Sequence, residues 1–510
     1  HIKGNKCKSL HYLSVFLDVI EDNVNLPVLD FRSISQPWPG LALESGMPEY
    51  RLLHGGVGAA PLPSLLPPSL CRSIGSKLRN QIEEQNAKGD VRAVPPDSPS
   101  RDLGRLLRFD DIVDARLFRQ YVRRVSSWTD VCDRECHFGI EVPRRAHRLP
   151  LLSYAIMAFA SAVSGFPDRA AAYHNQAVDF LIPILDGPIE SLDENVLAAI
   201  VLLRAFEEGT DTDTGTHLFG SARLLNTAAG FAAAGGLGEA ASWIVLRQSI
   251  YISFTRSQPL CINLDNYRRS RAFTSIDAES LANRAVFLCA QVLTFAFGTG
   301  ENAPEWHVDE WDNLNHDLEE WYKSRPSELC AYWVDMPRPG EGGTFPAFPA
   351  AWMARPAHVV GIQVYFMARL LLTIFDPRLE ELSFETILRR RQAEVIPLPH
   401  TINLLAQGKS NGHGGIDRYA QEQILANLRM VIGLAISHPS NITAGFHARH
   451  ALQACGSYLK DAKEQQEALA FLGNFEIEST WKADHIADNL RMAWSRNSSK
   501  LASYYNKITI

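Results

Sequence analysis

Cysteine is scarce in this chain, and its cysteines are never arranged in closely spaced pairs. The 510 residues include eight cysteines, and no two of them are separated by two residues. Zinc modules need closely spaced thiolates, and small secreted domains need dense disulfide frameworks. The cysteine spacing argues against both kinds of structure in this chain, and we expect a reducing compartment.

The sequence also lacks a recognisable signal peptide and an uninterrupted apolar run of about 20 residues. Its longest apolar stretches are 149–163, which is too short, and 359–375, which carries Gln363 and Arg369. We predict buried helices there and no membrane partner. The net charge of −7 does not indicate a free-standing nucleic-acid-binding domain, whereas 46% hydrophobic residues suffice for a sizeable core.

Proline separates the beginning of the chain from the rest. Prolines crowd residues 27–99, and because proline removes a backbone donor and fixes φ, long helices cannot form there. We predict a linker over 1–105, mostly disordered, with a short helix at 71–84. The domain over 106–500 is predicted to be helical.

From residue 107 onward the apolar residues repeat at helical spacing, as Ala177, Leu181 and Leu185 do. Ser191 to Glu194 has the form of a capping box that opens the next helix. The predicted fold is all-α, a multi-helix array or bundle with 354–375 at its centre. Further helices are predicted at 217–230, 238–255, 278–297, 309–322, 418–437, 443–459, 462–472 and 481–495.

Two groups of side chains have spacings that could suit a metal ion. On one helix, Cys132 and Cys136 would share a face with His137 close by, but isolated cysteines in helical proteins favour packed thiols. His447 and His450 are three residues apart, and the sequence favours a solvated or capping role for them. We therefore predict no catalytic, cofactor or metal site residues.

Charged clusters are expected to lie at the surface. Glu207 and Glu208 end an apolar helix, with Asp211 and Asp213 following, and a solvated helix end is the favoured interpretation. The arginine clusters could contact phosphate, but neighbouring acidic residues favour salt-linked surface faces. These clusters are Arg119, Arg123 and Arg124; Arg144, Arg145 and Arg148; Arg268, Arg269 and Arg271; and Arg389, Arg390 and Arg391.

A series of motifs in fixed order carries a family resemblance from about residue 107 to 495. The motifs are Leu117-Phe-Arg-Gln-Tyr121, Trp128-Thr-Asp-Val-Cys132, Tyr173-His174 with Ala177-Val178, Leu202-Leu203-Arg204 with Phe206, Trp243 with Leu246-Arg247-Gln248 and Tyr251, Asn283-Arg284, Phe345 with Phe348, Ala454-Cys455-Gly456, and Trp481 with Trp494. Together they resemble the regulatory region of fungal zinc binuclear cluster transcription factors, in the subgroup of cutinase-gene regulators.

The resemblance implies an α-helical, middle-homology-region-like domain that regulates transcription by RNA polymerase II in the nucleus. It implies co-regulators or transcription machinery as partners, with a homodimer and a small-molecule effector as further candidates. Zinc and DNA contact would belong only to an N-terminal six-cysteine cluster that this sequence lacks. Trp243, Arg247, Gln248 and Tyr251 would hold helices together rather than act as catalytic residues.

Two alternatives to a transcription regulator remain open. One is a cluster-less interaction or sensing module with an apolar pocket between its helices, acting through partner proteins. The other is a helical enzyme of terpenoid type, which needs clustered aspartates on a helix to hold magnesium and diphosphate. Asp110, Asp111 and Asp114 are the closest approach to such a cluster. The motifs favour a protein that is not an enzyme.

Overall fold

The computed structural model describes residues 109–187, 192–209, 222–298 without 223, 227 and 228, 307–337, 346–379 and 416–495. Within these ranges the fold is all-α, as predicted. The helices are α1 (Ile112–Gln120), α2 (Ser126–Thr129), α3 (His137–Ala146), α4 (Pro150–Val163), α5 (Pro167–Leu185), α6 (Glu194–Glu208), α7 (Gly236–Arg256), α8 (Ala278–Phe297), α9 (Val308–Ser324), α10 (Pro356–Ile374), α11 (Ile416–Ser437), α12 (Ile442–Cys455), α13 (Ala462–Ser479) and α14 (484–495).

The predicted linker over 1–105, with its short helix at 71–84, lies outside the described residues. The same holds for most of the helix predicted at 217–230 and for the arginine cluster 389–391. The domain boundary near residue 105 therefore stays a prediction.

Short polar side chains begin many of the helices. Asp111, Asp277, Asn441 and Asp461 each precede a helix and accept a hydrogen bond from a backbone N–H of its first turn. These N–H groups have no partner inside the helix, so an N-cap oxygen stabilises the helix by about 1 kcal/mol. The local sequence thus fixes where α1, α8, α12 and α13 start.

The start of α6 differs from the predicted capping box. Its N-cap is Asp193, which accepts from the backbone N–H groups of Asn195 at 2.9 Å and Val196 at 3.0 Å. The capping box with Ser191 as its cap is therefore wrong, because an aspartate two residues later supplies the acceptor. Glu194 instead pairs with Arg145 at 2.7 Å, so it links two helices.

A glycine turn leads into α7, as predicted. Gly235 has φ 74° and Gly236 has φ 63°, a region that residues with a Cβ rarely adopt. The turn connects the 3₁₀ helix Ala229–Ala233 to α7.

Helices α8 and α10 pack along each other at the centre of the core, as expected for an apolar helix at 354–375. A Cβ on Gly361 would lie 3.2 Å from the Cα of Ala282, so small residues permit this close approach. Both helices are long and apolar enough to span a membrane by composition, but 72% and 83% of their apolar windows are buried inside the protein. Buried core helices of globular proteins can be equally long and apolar, so length and composition are weak evidence for a membrane span.

The sequence missed one short strand pair. β1 (Trp333–Asp335) and β2 (Ala350–Trp352) are antiparallel, with Trp333 opposite Trp352. Their rings lie 4.4 Å apart. Three-residue strands are too short to show an alternating pattern, which is why the periodicity of the sequence does not indicate them.

Two helix ends also differ from prediction. α12 ends at Cys455, because residues Gly456–Tyr458 form a 3₁₀ turn, and α13 continues to Ser479 instead of stopping near 472. At that end, Thr480 adopts φ 65° and donates its backbone N–H to the Glu476 carbonyl.

Candidate functional site

A chain of hydrogen bonds crosses the interior between α7, α10, α11 and α12. The Tyr251 hydroxyl lies 2.9 Å from Nε2 of His447, and Nδ1 of His447 lies 2.9 Å from Oε1 of Gln363. Gln363 donates its amide to the carbonyls of Val431 at 2.7 Å and Ala444 at 3.0 Å. Because the Gln363 amide donates twice, its oxygen accepts from His447, and His447 Nε2 then accepts from the tyrosine.

The prediction of a solvated or capping role for His447 and His450 is wrong, because both side chains pack in the interior. His447 is fully buried and His450 is 5% exposed. His450 stacks on Tyr251 with ring centroids 4.8 Å apart, and its Nε2 lies 3.5 Å from Glu208 Oε1. Burial lowers the pKa of His447 to about 3 and also lowers the pKa of His450. Both histidines are therefore neutral packing groups at physiological pH.

The end of α6 is correspondingly not solvated. The Glu208 side chain is 9% exposed beside His450, and the Glu207 side chain lies 4.0 Å from Nε2 of His174. The interpretation of Glu207 and Glu208 as a solvated helix end is wrong, because the buried His450 and the partly buried His174 lie beside them. Asp211 and Asp213 lie outside the described residues.

A polar cavity opens next to this interior chain. It is bounded by the turn before α3 and by the N-terminal turns of α7 and α8, and it encloses about 70 Å³. Arg247 lines the cavity, and it donates to the carbonyl of Thr129, another lining residue, at 2.7 Å. With 4% exposure it is a buried cation.

One wall of the cavity is a fully bonded carboxylate. Glu239 accepts from the Ser270 hydroxyl at 2.6 Å and from the backbone N–H groups of Arg271 at 3.0 Å and Gly235 at 2.9 Å. Ser270 in turn accepts from the Trp243 indole at 3.1 Å. These bonds fix the glycine turn against the following loop, so Glu239 is a structural part of the wall.

The opposite wall carries two buried side chains with spare acceptors. Glu279 binds Arg355 at 2.5 Å through Oε1, and Asn283 donates to the Cys132 carbonyl at 3.1 Å. Glu279 Oε2 and Asn283 Oδ1 are buried and accept no hydrogen bond from any described group. An unpaired buried acceptor costs about 1–3 kcal/mol.

The two cysteines do not share a helix face, contrary to the expectation for a helical segment. Cys132 ends the 3₁₀ helix Asp130–Cys132 and is buried, whereas Cys136 adopts φ 53° before α3 and is exposed. His137 Nδ1 lies 2.8 Å from Asp133. In the described part of the chain, no group of three His, Cys, Asp or Glu residues is placed to hold a metal ion.

The buried thiols are protonated at physiological pH. Burial raises the pKa of Cys132 to about 11 and those of Cys289 and Cys455 to about 12. A thiol must ionise to act as a nucleophile, so these three cysteines are packing residues.

Two of the three aspartates that could suit a diphosphate-binding motif have structural partners. Asp110, Asp111 and Asp114 have the spacing Asp-Asp-x-x-Asp. Asp111 is the N-cap of α1, and both Asp111 and Asp114 bind Arg169 at 2.6 Å. An arginine thus occupies the place where a magnesium ion would be needed, and this arrangement does not favour a terpenoid-type enzyme.

Some arginines of the predicted surface clusters are salt-linked. Arg144 and Arg145 bind Glu141 at 2.6 and 2.7 Å, and Arg271 binds Glu135 at 2.7 Å. Surface pairs of this kind contribute little to stability. They also neutralise charges that could otherwise contact phosphate.

An apolar groove matches the expectation of a pocket between helices. It lies between α11, α12 and α13, encloses about 350 Å³ and is lined by apolar side chains that include Ile436, Phe471 and Ile477. Ile477 is 79% exposed at its edge.

The sequence motifs include Arg247 and Tyr251 but do not indicate the buried polar residues around them. Glu239 and Glu279 line the polar cavity with Arg247, and Gln363 bonds to His447, the partner of Tyr251. Gln363 has one local signal, a polar residue within an otherwise apolar helix, and by itself that signal argues only against a membrane span.

Comparison with known proteins shows a similarity to a fungal protein. The chain is 22% identical over 239 residues to the transcription activator AMTR1 of Alternaria alternata, a match that covers 44% of this chain and 28% of that protein. The matched part is thus under one third of the relative's length. No family model and no solved structure matches the chain. The chain is therefore similar to a fungal transcription activator.

Proposed function

We propose that this chain regulates transcription, as the helical regulatory region of a fungal transcription factor. The observation that carries the proposal is the similarity to a fungal transcription activator over 239 residues. The all-α fold agrees with what the sequence motifs imply, and the region's indoles, arginines and histidines serve packing. A helical scaffold of this kind acts through binding rather than through a reactive group.

Arg247, Gln248, Tyr251 and Trp243 support the same proposal. Each is buried and hydrogen-bonded to another element: Gln248 donates to the Val201 carbonyl at 3.3 Å, and Arg247 to Thr129. The motif that carries much of the family resemblance is therefore a packing motif, as expected for a scaffold.

The location, the partners and the DNA-binding context of the protein are proposed from the family resemblance. The protein acts in the nucleus on genes read by RNA polymerase II, together with co-regulators, as part of the family of zinc binuclear cluster factors. DNA contact and zinc belong to a six-cysteine cluster that is not among these 510 residues. The resemblance also favours a protein without catalytic activity.

Chromatin immunoprecipitation tests the proposal with the full-length protein, tagged at its own locus in the organism of origin. We expect enrichment at a defined set of promoters whose transcripts change when the gene is deleted. Absence of promoter enrichment, with unchanged transcripts after deletion, would contradict it. A tagged, unrelated nuclear protein is the control for non-specific recovery.

A further inference from the structure

The polar cavity beside α7 and α8 has features of a binding site rather than of a packing defect. It is lined by charged and polar side chains, and three of them are more than nine-tenths buried: Arg247 at 4%, Asn283 at 6% and Glu279 at 7% exposure. Burying such groups is costly unless hydrogen bonds satisfy them. Their remaining bonding capacity therefore indicates what the cavity can hold.

Two of these side chains need a donor. Glu279 uses one carboxylate oxygen for Arg355, and Asn283 uses its amide N–H for the Cys132 carbonyl. The other oxygen of each is buried without a partner among the described residues. A carboxylate and an amide oxygen together suit a group with several N–H donors and a positive charge, such as a primary ammonium.

The third side chain needs an acceptor. The Arg247 guanidinium has five N–H donors, and among the described residues the Thr129 carbonyl accepts a hydrogen bond from one of them. No carboxylate of the described ranges lies within 4 Å of it, although five acidic residues line the same cavity. A planar guanidinium matches a carboxylate in geometry and charge.

Arg247, Glu279 and Asn283 line the same cavity. The cavity therefore offers a cationic group together with an anionic group and an amide. Its volume of about 70 Å³ is several times the roughly 10–15 Å³ that a cavity needs to hold one water molecule.

We propose that this cavity binds a small α-amino acid, whose carboxylate pairs with Arg247 and whose ammonium group is held by Glu279 and Asn283. The size admits the backbone of an amino acid with a small side chain, such as glycine or alanine. The site stands on its own geometry. Only its regulatory meaning, a metabolite effector for the helical region, rests on the proposed function.

Calorimetric titration of the full chain with glycine and L-alanine tests the site, with acetate and methylamine as the two half-ligands. We expect saturable binding of an amino acid, with each half-ligand bound at least tenfold more weakly. Binding to the native state also raises the melting temperature as the ligand concentration rises. Because no transcription is measured, failure here leaves the proposed function untouched.

The variant Glu279→Gln places an amide N–H where the ammonium group needs an acceptor. We expect at least tenfold weaker amino-acid binding. The matched control is Glu464→Gln: Glu464 is 5% exposed, pairs with Arg429 at 2.5 Å and also has an unpartnered Oε2, but it lies on α13 away from the cavity. It should match Glu279→Gln in its effect on stability and leave binding unchanged.

Three results would overturn the proposal. They are no saturable binding of either amino acid by the folded wild-type chain, equal binding of acetate or methylamine, and unchanged binding in Glu279→Gln. If Glu279→Gln does not fold, Asn283→Leu replaces it, because that change removes the second acceptor of the ammonium group.

Discussion

Gln363 joins three helices through a single side chain. Its amide donates to carbonyls on α11 and α12, and its oxygen accepts from His447, which in turn accepts from Tyr251. Buried polar chains of this kind specify one arrangement of helices, because any other arrangement leaves donors and acceptors unpaired. At the residue scale, directional hydrogen bonds as well as apolar contacts therefore fix how the interior helices pack.

Replacing Gln363 with leucine tests that role. Gln363→Leu leaves the Nδ1–H of His447 without an acceptor, and we expect the free energy of unfolding to fall by about 3 kcal/mol. Urea unfolding monitored by circular dichroism measures the change. Gln466→Leu, at an exposed position of α13, is the control and should stay within about 0.5 kcal/mol of wild type. Equal effects of the two changes would argue against the hydrogen-bond chain.

Asp130 gives the protein a defined pH dependence. It is 7% exposed and accepts from the backbone N–H groups of Phe138 at 2.9 Å and Gly139 at 2.7 Å. Burial, followed by the charge of Asp133, raises its pKa to about 7, although these N–H groups and His137 act in the opposite direction. Burial dominates because two hydrogen bonds do not replace full hydration.

The sign of the effect follows from linkage. With the folded pKa near 7 and an unfolded pKa near 4, the folded state binds the proton more tightly. The stabilisation is complete below pH 4 and is lost as pH rises to 7, by about 1 kcal/mol per pH unit. In Asp130→Asn this slope should disappear, so the difference in unfolding free energy between the two proteins should change across pH 4–7. Parallel curves would contradict the raised pKa.

At the scale of helices, glycines set how closely elements approach. A Cβ on Gly433 in α11 would lie 2.0 Å from the Pro349 carbonyl oxygen beside β2, whereas a Cβ on Gly473 in α13 would meet nothing within 4 Å. Both residues are helical, so alanine should favour the helix by about 1 kcal/mol at either position. The atoms around each glycine therefore decide whether the alanine substitution stabilises or destabilises the protein.

We therefore expect opposite outcomes from the same substitution. Gly433→Ala forces the backbone near β2 to move and should lower the melting temperature, because overpacking costs about 1–3 kcal/mol. Gly473→Ala should raise it. Differential scanning calorimetry of both variants checks the pair, and a stabilised Gly433→Ala protein would show that α11 does not contact the strand pair as described.

Sequence patterns predicted the positions of the helices better than they predicted which polar side chains are buried. The 3.6-residue periodicity located α7, α8 and α10 to within about two residues, because their apolar faces are nearly continuous. It failed where a short polar residue decided the boundary, as at Asp193, and where strands were only three residues long. It also placed His447, His450 and Glu208 in solvent, because each of them acquires its partners from a helix distant in sequence.

The candidate site was the least predictable part for the same reason. Arg247 stood out as a buried arginine in need of a partner, but Glu279 and Asn283 come from α8 and meet it only in the folded protein. Spacing within one segment cannot reveal a cavity whose walls come from separate helices.

At the scale of the whole molecule, the central claim is that this helical scaffold regulates transcription, and the similarity to a fungal transcription activator supports it. A tethered reporter assay tests that claim most directly. The full 510-residue chain is fused to an unrelated DNA-binding domain and directed to a promoter that carries its site. The account predicts a change in reporter transcription, upward or downward, relative to the DNA-binding domain alone. Unchanged transcription by a fusion that is expressed, nuclear and bound to the promoter would contradict it.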